Sequence, residues 1–479
     1  MQKITLIAIF ILSAAAVAQL PAKEAVSHEH SKKVVEQNPP REAFEKVSAM
    51  EAVSQKTNSE SLTLERAMDY ALGHSPILSV EKLKLEDATI QVKESRLEHI
   101  PDIYLSGELR RNLVIPATPV PAHAFNPSSP ESEIMYLRFN TKWNSSAGVN
   151  LKYDLFNPEK VHRVAQQKQQ LRIQEYEAQI SIDDFRERLA LAYAECVIAE
   201  EQKLLLLKDT AYYAGLLNNA NKLYMKERIT LAVKNDANRI YNESIANFLE
   251  AEKIAGERKA ELLYLMGMEV TLENIASLNL KEDITALLKN IEENSSYTPT
   301  LNNLEELRQQ EVVNLAILRL KTASWKYAPT LTINGYYGSS YYNNEPSFFN
   351  NKYWRGNSYI GVSLKVPVTQ SLTTSSEVSR LRLQKQIEAE NLRDIRNNRE
   401  KELLNELSLL QVRKESYRLS RENWEMSKQN SKAIQLQFDK GYIQQTDLLS
   451  EQLKIQQSRQ NYLQAAYNLF SSIITVKNR

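Results

Sequence analysis

The sequence predicts a mainly α-helical protein with a small β part, and three observations predict it. Glycine is scarce: 479 residues contain 11 Gly, where ordinary usage would supply roughly 34. Two very long segments, 157–225 and 372–439, keep a seven-residue apolar repeat, the mark of helices that coil around neighbours. Four short segments alternate apolar and polar residues with period two, the strand signature. The shortage of Gly also argues against Gly-rich nucleotide-binding folds.

Composition narrows the chemistry. With 60 Lys+Arg against 59 Asp+Glu, no charge imbalance calls for a nucleic-acid partner. A single Cys excludes an internal disulfide framework and any Cys-clustered zinc or iron–sulfur site. Residues 1–18 read as a cleavable secretory signal: Lys3, an apolar run from Ile4 to Val17, then Ala16-Val17-Ala18, with cleavage expected after Ala18. A signal anchor is the alternative, although the run is short for a spanning helix. No later apolar run is long enough for a transmembrane helix, so any membrane crossing must be made by strands.

The elements follow in order. Residues 19–60 are polar and read as a flexible lead-in. Its His28 and His30 read as part of a solvated tail, with weak metal binding as the alternative. A helix is predicted over 62–100, ending near Pro101. Strands follow at 102–111 and 145–156, around a Pro/Asn/Ser-rich loop at 112–143. Asn157-Pro158 supplies a cap and a first-turn proline for the long helix 157–225. Its seam reads Leu171, Ala178, Phe185, Ala192, Ala199, Leu206, Tyr213 and Ala220, with Cys196 as a packing residue beside it. At 1.5 Å per residue the rod is about 100 Å long. A returning helix at 232–266 and an equatorial segment at 267–297 complete this half. The second half reads helix 301–328, strands 330–339 and 358–367 around loop 340–357, long helix 372–439 and returning helix 446–476. The second seam is Leu403, Leu410, Tyr417, Trp424 and Phe438.

The halves 61–297 and 298–479 read as two internal repeats. His99–Gly107 resembles Tyr327–Gly335, with Pro and Gly six apart in both. Gly148-Val-Asn-Leu-Lys152 resembles Gly361-Val-Ser-Leu-Lys365, and Tyr224–Ile229 aligns with Phe438–Ile443.

Each strand is apolar on one face: Ile103, Leu105, Gly107 and Leu109; Val149, Leu151, Tyr153 and Leu155; Leu331, Ile333 and Tyr337; Ile360, Val362, Leu364 and Val366. Two settings fit such strands, a sheet on a soluble core or a barrel with lipid outside and water inside. Trp143, Trp325 and Trp354 near the strand ends favour the barrel, because aromatic residues collect at membrane–water boundaries. Four strands cannot close a barrel, which takes about eight or more, and open edges are not tolerated in lipid. Several copies must therefore pool their strands; three copies would give about twelve, above a ring of helices.

This layout resembles the TolC-type outer-membrane efflux and export channels over about residues 62–476. The residues that carry the resemblance are the two helix–strand–loop–strand–long-helix repeats, the paired Gly-Val-x-Leu-Lys strands and Phe438-x-x-Gly441-Tyr-Ile-x-x-x-Asp447-Leu-Leu449. The resemblance implies a homotrimer. Its shared 12-stranded antiparallel β-barrel would stand in outer-membrane lipid and continue into a long periplasmic α-helical coiled-coil barrel, belted by the segment near 267–300 and the chain termini. It also implies a passive gated duct that docks to a periplasmic adaptor protein and an inner-membrane pump of the RND or ABC class. The docking tips would be the turns near 226–231 and 440–446, with Arg228, Ile229, Gly441, Tyr442 and Ile443 as candidate contacts. Asp447 matches an acidic position that lines the constriction in related channels, where three copies would make a negative ring; capping the returning helix is its other reading. Ser450 stands at a second acidic ring position. An Arg–Asp tie that holds some relatives shut would fall at Ile443 and Val233, both apolar, and Glu227 stands where relatives often carry Gly.

No catalytic function or cofactor is expected. The chain has no HExxH, P-loop, GxSxG or GxGxxG, and its six His show no metal-ligand spacing. The alternative function is a periplasmic or surface coiled-coil scaffold with a small soluble sheet. A passive duct leaves the exported cargo, whether drug, metal or protein, unmarked in the sequence.

Overall fold

The computed structural model describes residues 62–293 and 304–478. The expected signal at 1–18, the lead-in at 19–60 with His28 and His30, and the junction expected at 297–298 lie outside those residues. The chain runs α1 (Leu64–His74), α2 (Pro76–Leu97), β1 (Asp102–Arg111), β2 (Thr118–Pro121), β3 (Ile134–Leu137), β4 (Trp143–Phe156), α3 (Arg163–Met225), α4 (Leu231–Met266), α5 (Leu272–Ser277), α6 (Ile284–Glu293), α7 (Leu304–Trp325), β5 (Thr330–Asn343), β6 (Trp354–Lys365), α8 (Gln370–Asp439) and α9 (Gln445–Asn478).

Local chemistry corrects the expected elements in several places, and β5 and β6 each reach four residues into the loop expected at 340–357. The helix expected over 62–100 is two helices, because Pro76 disfavours helical backbone at the residue before it. Ser75 is extended, with φ −64° and ψ 125°, and Pro76 opens α2. The first rod begins at Arg163 and not at Asn157. The Asn157 side chain accepts the Glu159 N–H at 3.0 Å, its carbonyl accepts the Lys160 N–H at 3.0 Å, and Lys160 Nζ pairs with Asp154 at 2.9 Å. This side-chain turn competes with the first helical turn and wins. The loop expected at 112–143 contains the β2–β3 hairpin. Finally, β4 bulges between Asp154 and Phe156, so Phe156 pairs with Leu331 and Leu155 falls out of the ladder.

Four strands form one antiparallel sheet in the order β1-β4-β5-β6. Among the described residues it is open: β1 and β6 each pair along one edge only. Among the described residues no helix packs along either face. Beyond the sheet, α3 with α4 and α8 with α9 make two long helical hairpins, with α7 between α3 and α8. At 1.5 Å per residue, α3 and α8 are about 95 and 105 Å long.

Burial follows the seams. On α3, Ala178, Phe185, Ala192, Ala199, Tyr213 and Ala220 are buried, as are Leu189 and Cys196 beside them. The main core lies midway along the rods. Phe185, Leu189, Tyr193 and Val197 of α3 meet Leu262 and Met266 of α4, Leu287 of α6, and Leu463, Leu469 and Phe470 of α9. The Tyr193 hydroxyl donates to the Leu62 carbonyl at 3.0 Å, and Leu62 in turn bonds the backbone of Asn279 and Lys281.

Ion pairs set the helix register. Arg459 of α9 meets Asp209 of α3 at 2.8 Å, Lys259 of α4 meets Glu200 at 2.9 Å, and Arg258 meets Glu195 at 2.9 Å. Burial by itself would raise the Glu200 carboxyl, but hydrogen bonds from Lys203 and Lys259 outweigh it and hold the group below the ordinary range. The neighbouring Glu201 goes the other way, raised by burial and then by Asp283.

Two outcomes are expected. The Arg459 side chain is 6% exposed, so Asp209→Ala should cost about 3 kcal/mol by leaving a buried charge unpaired, read as a lowered unfolding midpoint. A raised carboxyl stabilises fully below its unfolded value and loses that contribution as pH rises through the folded value. Glu201→Gln should therefore be more stable than the native chain at neutral pH, and the gap should close as pH falls to about 4. Thermal unfolding across that range measures it.

Candidate functional site

Two features stand out: the bare sheet and the ends of the helical hairpins. Strand register assigns the sheet faces. Ile103 pairs with Leu151, Leu105 with Val149, Ile333 with Val362 and Leu331 with Leu364, which places these side chains on one face. That face lies open: Leu105 and Ile360 are each 78% exposed, and Val362 and Leu364 each 65%. The opposite face carries Ser106, Glu108, Arg110, Asn150, Lys152, Asn334, Ser363 and Lys365. Its polar groups satisfy one another across strands: Asn150 donates to Ser106 Oγ at 2.6 Å and Asn334 to Ser363 Oγ at 2.9 Å.

Aromatic residues close both ends of the apolar band. At the loop end the buried Tyr341 ring meets Phe348, Tyr353 and Trp354 at 5.0, 6.2 and 5.5 Å, and Trp143 meets Phe348 at 5.2 Å. Tyr341 donates to the Glu345 carbonyl at 2.6 Å, and Trp354 Nε1 to the Phe348 carbonyl at 2.8 Å. At the helix end Phe156 and His162 each lie 6.2 Å from Trp325. Burial, and then Lys321, lower the His162 imidazole and favour its neutral form there. Phe348 was not legible as part of this cluster; its only signal was the Phe348-Phe349 pair in a Ser/Asn-rich loop.

The turns at 226–230 and 440–444 share one backbone design. After α3, Glu227 takes φ 55°, its N–H bonds the Tyr224 carbonyl and the Arg228 N–H bonds the Leu223 carbonyl, both at 2.9 Å. After α8, Gly441 takes φ 76°, its N–H bonds the Phe438 carbonyl and the Tyr442 N–H bonds the Gln437 carbonyl, again at 2.9 Å. Both are left-handed helix C-caps, which glycine fills without strain and glutamate does not. Thr230 caps α4 by accepting the Val233 N–H at 3.5 Å. Asp447 is not the N-cap residue of α9 but its third helical residue, and its carboxylate accepts the Gln444 N–H at 3.2 Å, the return half of a capping box. Its backbone carbonyl accepts the Ser450 hydroxyl at 2.9 Å. Arg228, Gly441, Asp447 and Ser450 are exposed, Tyr442 is 77% exposed, and Ile229, Ile443 and Val233 are half-buried. The Tyr212 hydroxyl donates to Gln435 at 2.6 Å, tying the two rods together near these turns.

No family model matches the sequence, and no curated relative matches it. Solved structures do. The outer membrane protein VceC of Vibrio cholerae is 14% identical, with a TM-score of 0.65 over 87% of this chain and 96% of that one. The CmeC outer membrane channel of Campylobacter jejuni is 16% identical, with a TM-score of 0.64 over 94% and 92%. The chain has the TolC-type fold. The MtrE outer membrane channel of Neisseria gonorrhoeae shares it as well, at 13% identity and a TM-score of 0.64 over 87% of this chain and 88% of that one. Within the TolC-type fold of this chain, the first turn carries a strained glutamate where the second has glycine. Glu227→Gly should stabilise that turn by about 1 kcal/mol, seen as roughly fivefold slower hydrogen exchange at the Arg228 amide.

Proposed function

We propose that this protein is an outer-membrane channel of a tripartite efflux or type I secretion system. The observation that carries the reading is the four-stranded sheet, apolar on one face and, among the described residues, open at its edges and uncovered on both faces. In water that face would be exposed hydrocarbon, and the β1 and β6 edges would be templates for further pairing. In a bilayer the apolar face suits acyl chains, and the edges must be closed by other strands. Three copies supply twelve strands, and antiparallel order is kept when β6 of one copy pairs with β1 of the next. The dimensions agree. From Leu331 to Tyr341 the strand rises about 33 Å, and a tilt near 40° reduces this to about 25 Å of membrane height.

The helices support the same assembly. On α8, Val412, Leu419 and Met426 recur every seven residues and are 62%, 46% and 53% exposed. They stand two residues after Leu410, Tyr417 and Trp424, which places them on nearly the opposite side of the helix. One seam of α8 is filled by its own chain and the other awaits a neighbouring copy. Each half contributes two strands and a long helical hairpin, the internal repeat read in the sequence.

The same reading makes the two turns the periplasmic tips. Arg228, Ile229, Gly441, Tyr442 and Ile443 are then contacts for an adaptor protein, which links the duct to an inner-membrane RND or ABC pump. Asp447, with Ser450 one turn on, faces the constriction as a ring of three carboxylates that favours cations. Half-buried Val233 and Ile443 make the closed state one of packing and not of charge. The scaffold alternative leaves the apolar sheet face without a partner. No catalytic role is assigned to the chain.

Purified protein should need detergent, run as a trimer and conduct ions in planar bilayers. A soluble monomer would refute the channel. In the same recordings Asp447→Asn should shift the reversal potential in a salt gradient toward lower cation selectivity; an unchanged potential would remove Asp447 from the pore.

A further inference from the structure

The polar face of the sheet carries an aromatic row that a water-lined wall does not require. Across the strands Tyr104 pairs with Asn150, Asn150 with Tyr336, and Tyr336 with Tyr359. Three tyrosines therefore stand in one transverse line. Tyr336 does not stand up from the sheet. A Cβ on Gly148 would come within 2.8 Å of its ring atoms Cε2 and Cζ, and a Cβ on Gly338 within 2.5 Å of its hydroxyl. Gly148 and Gly338 are themselves cross-strand partners. The ring thus lies over bare backbone that only glycine leaves free. Tyr359 lies nearly parallel to it, with centroids 6.0 Å apart and planes 24° apart. Tyr336 is half-buried as a residue and its hydroxyl is fully buried. Tyr104 and Tyr359 are 48% and 59% exposed. The Tyr336 hydroxyl has no hydrogen-bond partner among the described residues, so packing and not a polar anchor sets the ring's pose.

We propose that Tyr104, Tyr336 and Tyr359 form an aromatic collar on the water-facing wall that holds planar organic cations in transit. This rests on the shared-barrel reading, which turns the polar face inward and repeats the row three times. Twelve strands about 4.8 Å apart and tilted near 40° enclose a ring about 24 Å across, so a solute meets the collar along the wall while water fills the centre. The ring face of tyrosine is negative, and a flat aromatic cation combines stacking area with attraction to that face. In the adjacent row the Tyr336 ring already covers Gly148 and Gly338, so a flat solute meets the rings themselves and not bare backbone.

Single-channel recording of the full-length protein in planar bilayers tests the collar, with ethidium as the planar cation and choline as a compact one. Ethidium should interrupt the current of the native channel and choline should not. The Tyr336→Ser/Tyr359→Ser double variant should shorten the ethidium interruptions about tenfold, while Tyr359→Phe, which keeps the ring, should retain them. Interruptions of native length in the double variant, or equal interruption by choline, would overturn the collar and leave the channel standing. If the double variant gives no current, Tyr104→Ser on the edge strand carries the same comparison. Silence of the native protein would overturn the channel reading and the collar together.

Discussion

The rest of the structure depends on one constraint. Backbone N–H and C=O groups on a strand edge must be paired, and an apolar face must be kept from water. In this chain neither is met from within. Among the described residues the sheet has two free edges, and its Ile, Leu and Val face has no helix against it. A soluble domain would bring α2 or α7 down onto that face. Here the helices instead leave the sheet lengthwise, at Asn157 and after Lys365, and never fold back over it. The proposed closure among copies, in lipid, would satisfy both demands at once.

The long helices answer a different demand. A rod of about 100 Å cannot be stabilised by local propensity alone; it needs a partner along its length. Each rod has one in its returning helix, held by the seam and by ion pairs such as Arg459–Asp209 and Lys259–Glu200. These pairs cluster near the densest packing, where α1, α3, α4, α6 and α9 converge. Level with that belt α8 is half bare: Leu410, Tyr417 and Trp424 join the core, while Leu404, Val412, Leu419 and Leu436 are open. The far turns are less well packed still, and one of them keeps a left-handed glutamate. Burial is therefore greatest at mid-length and falls toward the turns.

Much of the fold was legible because its signals are periodic. Period two gave β1 its bounds, and the heptads gave α3 and α8 their seams, from Ala178 to Ala220 and through Leu410 and Trp424. The misses have local causes. Pro76 splits a helix whose apolar pattern runs straight through it. The Asn157 side chain builds a turn where its identity also fits a cap. Asp447 sits within the first turn of α9 and still reaches the backbone that a cap would serve. Tyr336 and Tyr337 are neighbours on opposite faces of β5, and nothing in their spacing says that one of them lies flat on Gly148 and Gly338. That pose depends on two strands far apart in sequence being placed side by side. The TolC-type likeness at 12–16% identity has the same explanation: length, seam and strand parity survive changes that erase residue identity.

The central claim is that one face of the sheet meets acyl chains while the other meets water. Spin labels placed singly from Ile103 to Arg110 in proteoliposomes test it most directly. The account predicts alternation with period two: oxygen, which concentrates in lipid, should relax labels at positions 103, 105 and 109, and a water-soluble nickel chelate those at 104, 106 and 108. Uniform access of the nickel chelate at all of these positions would contradict it.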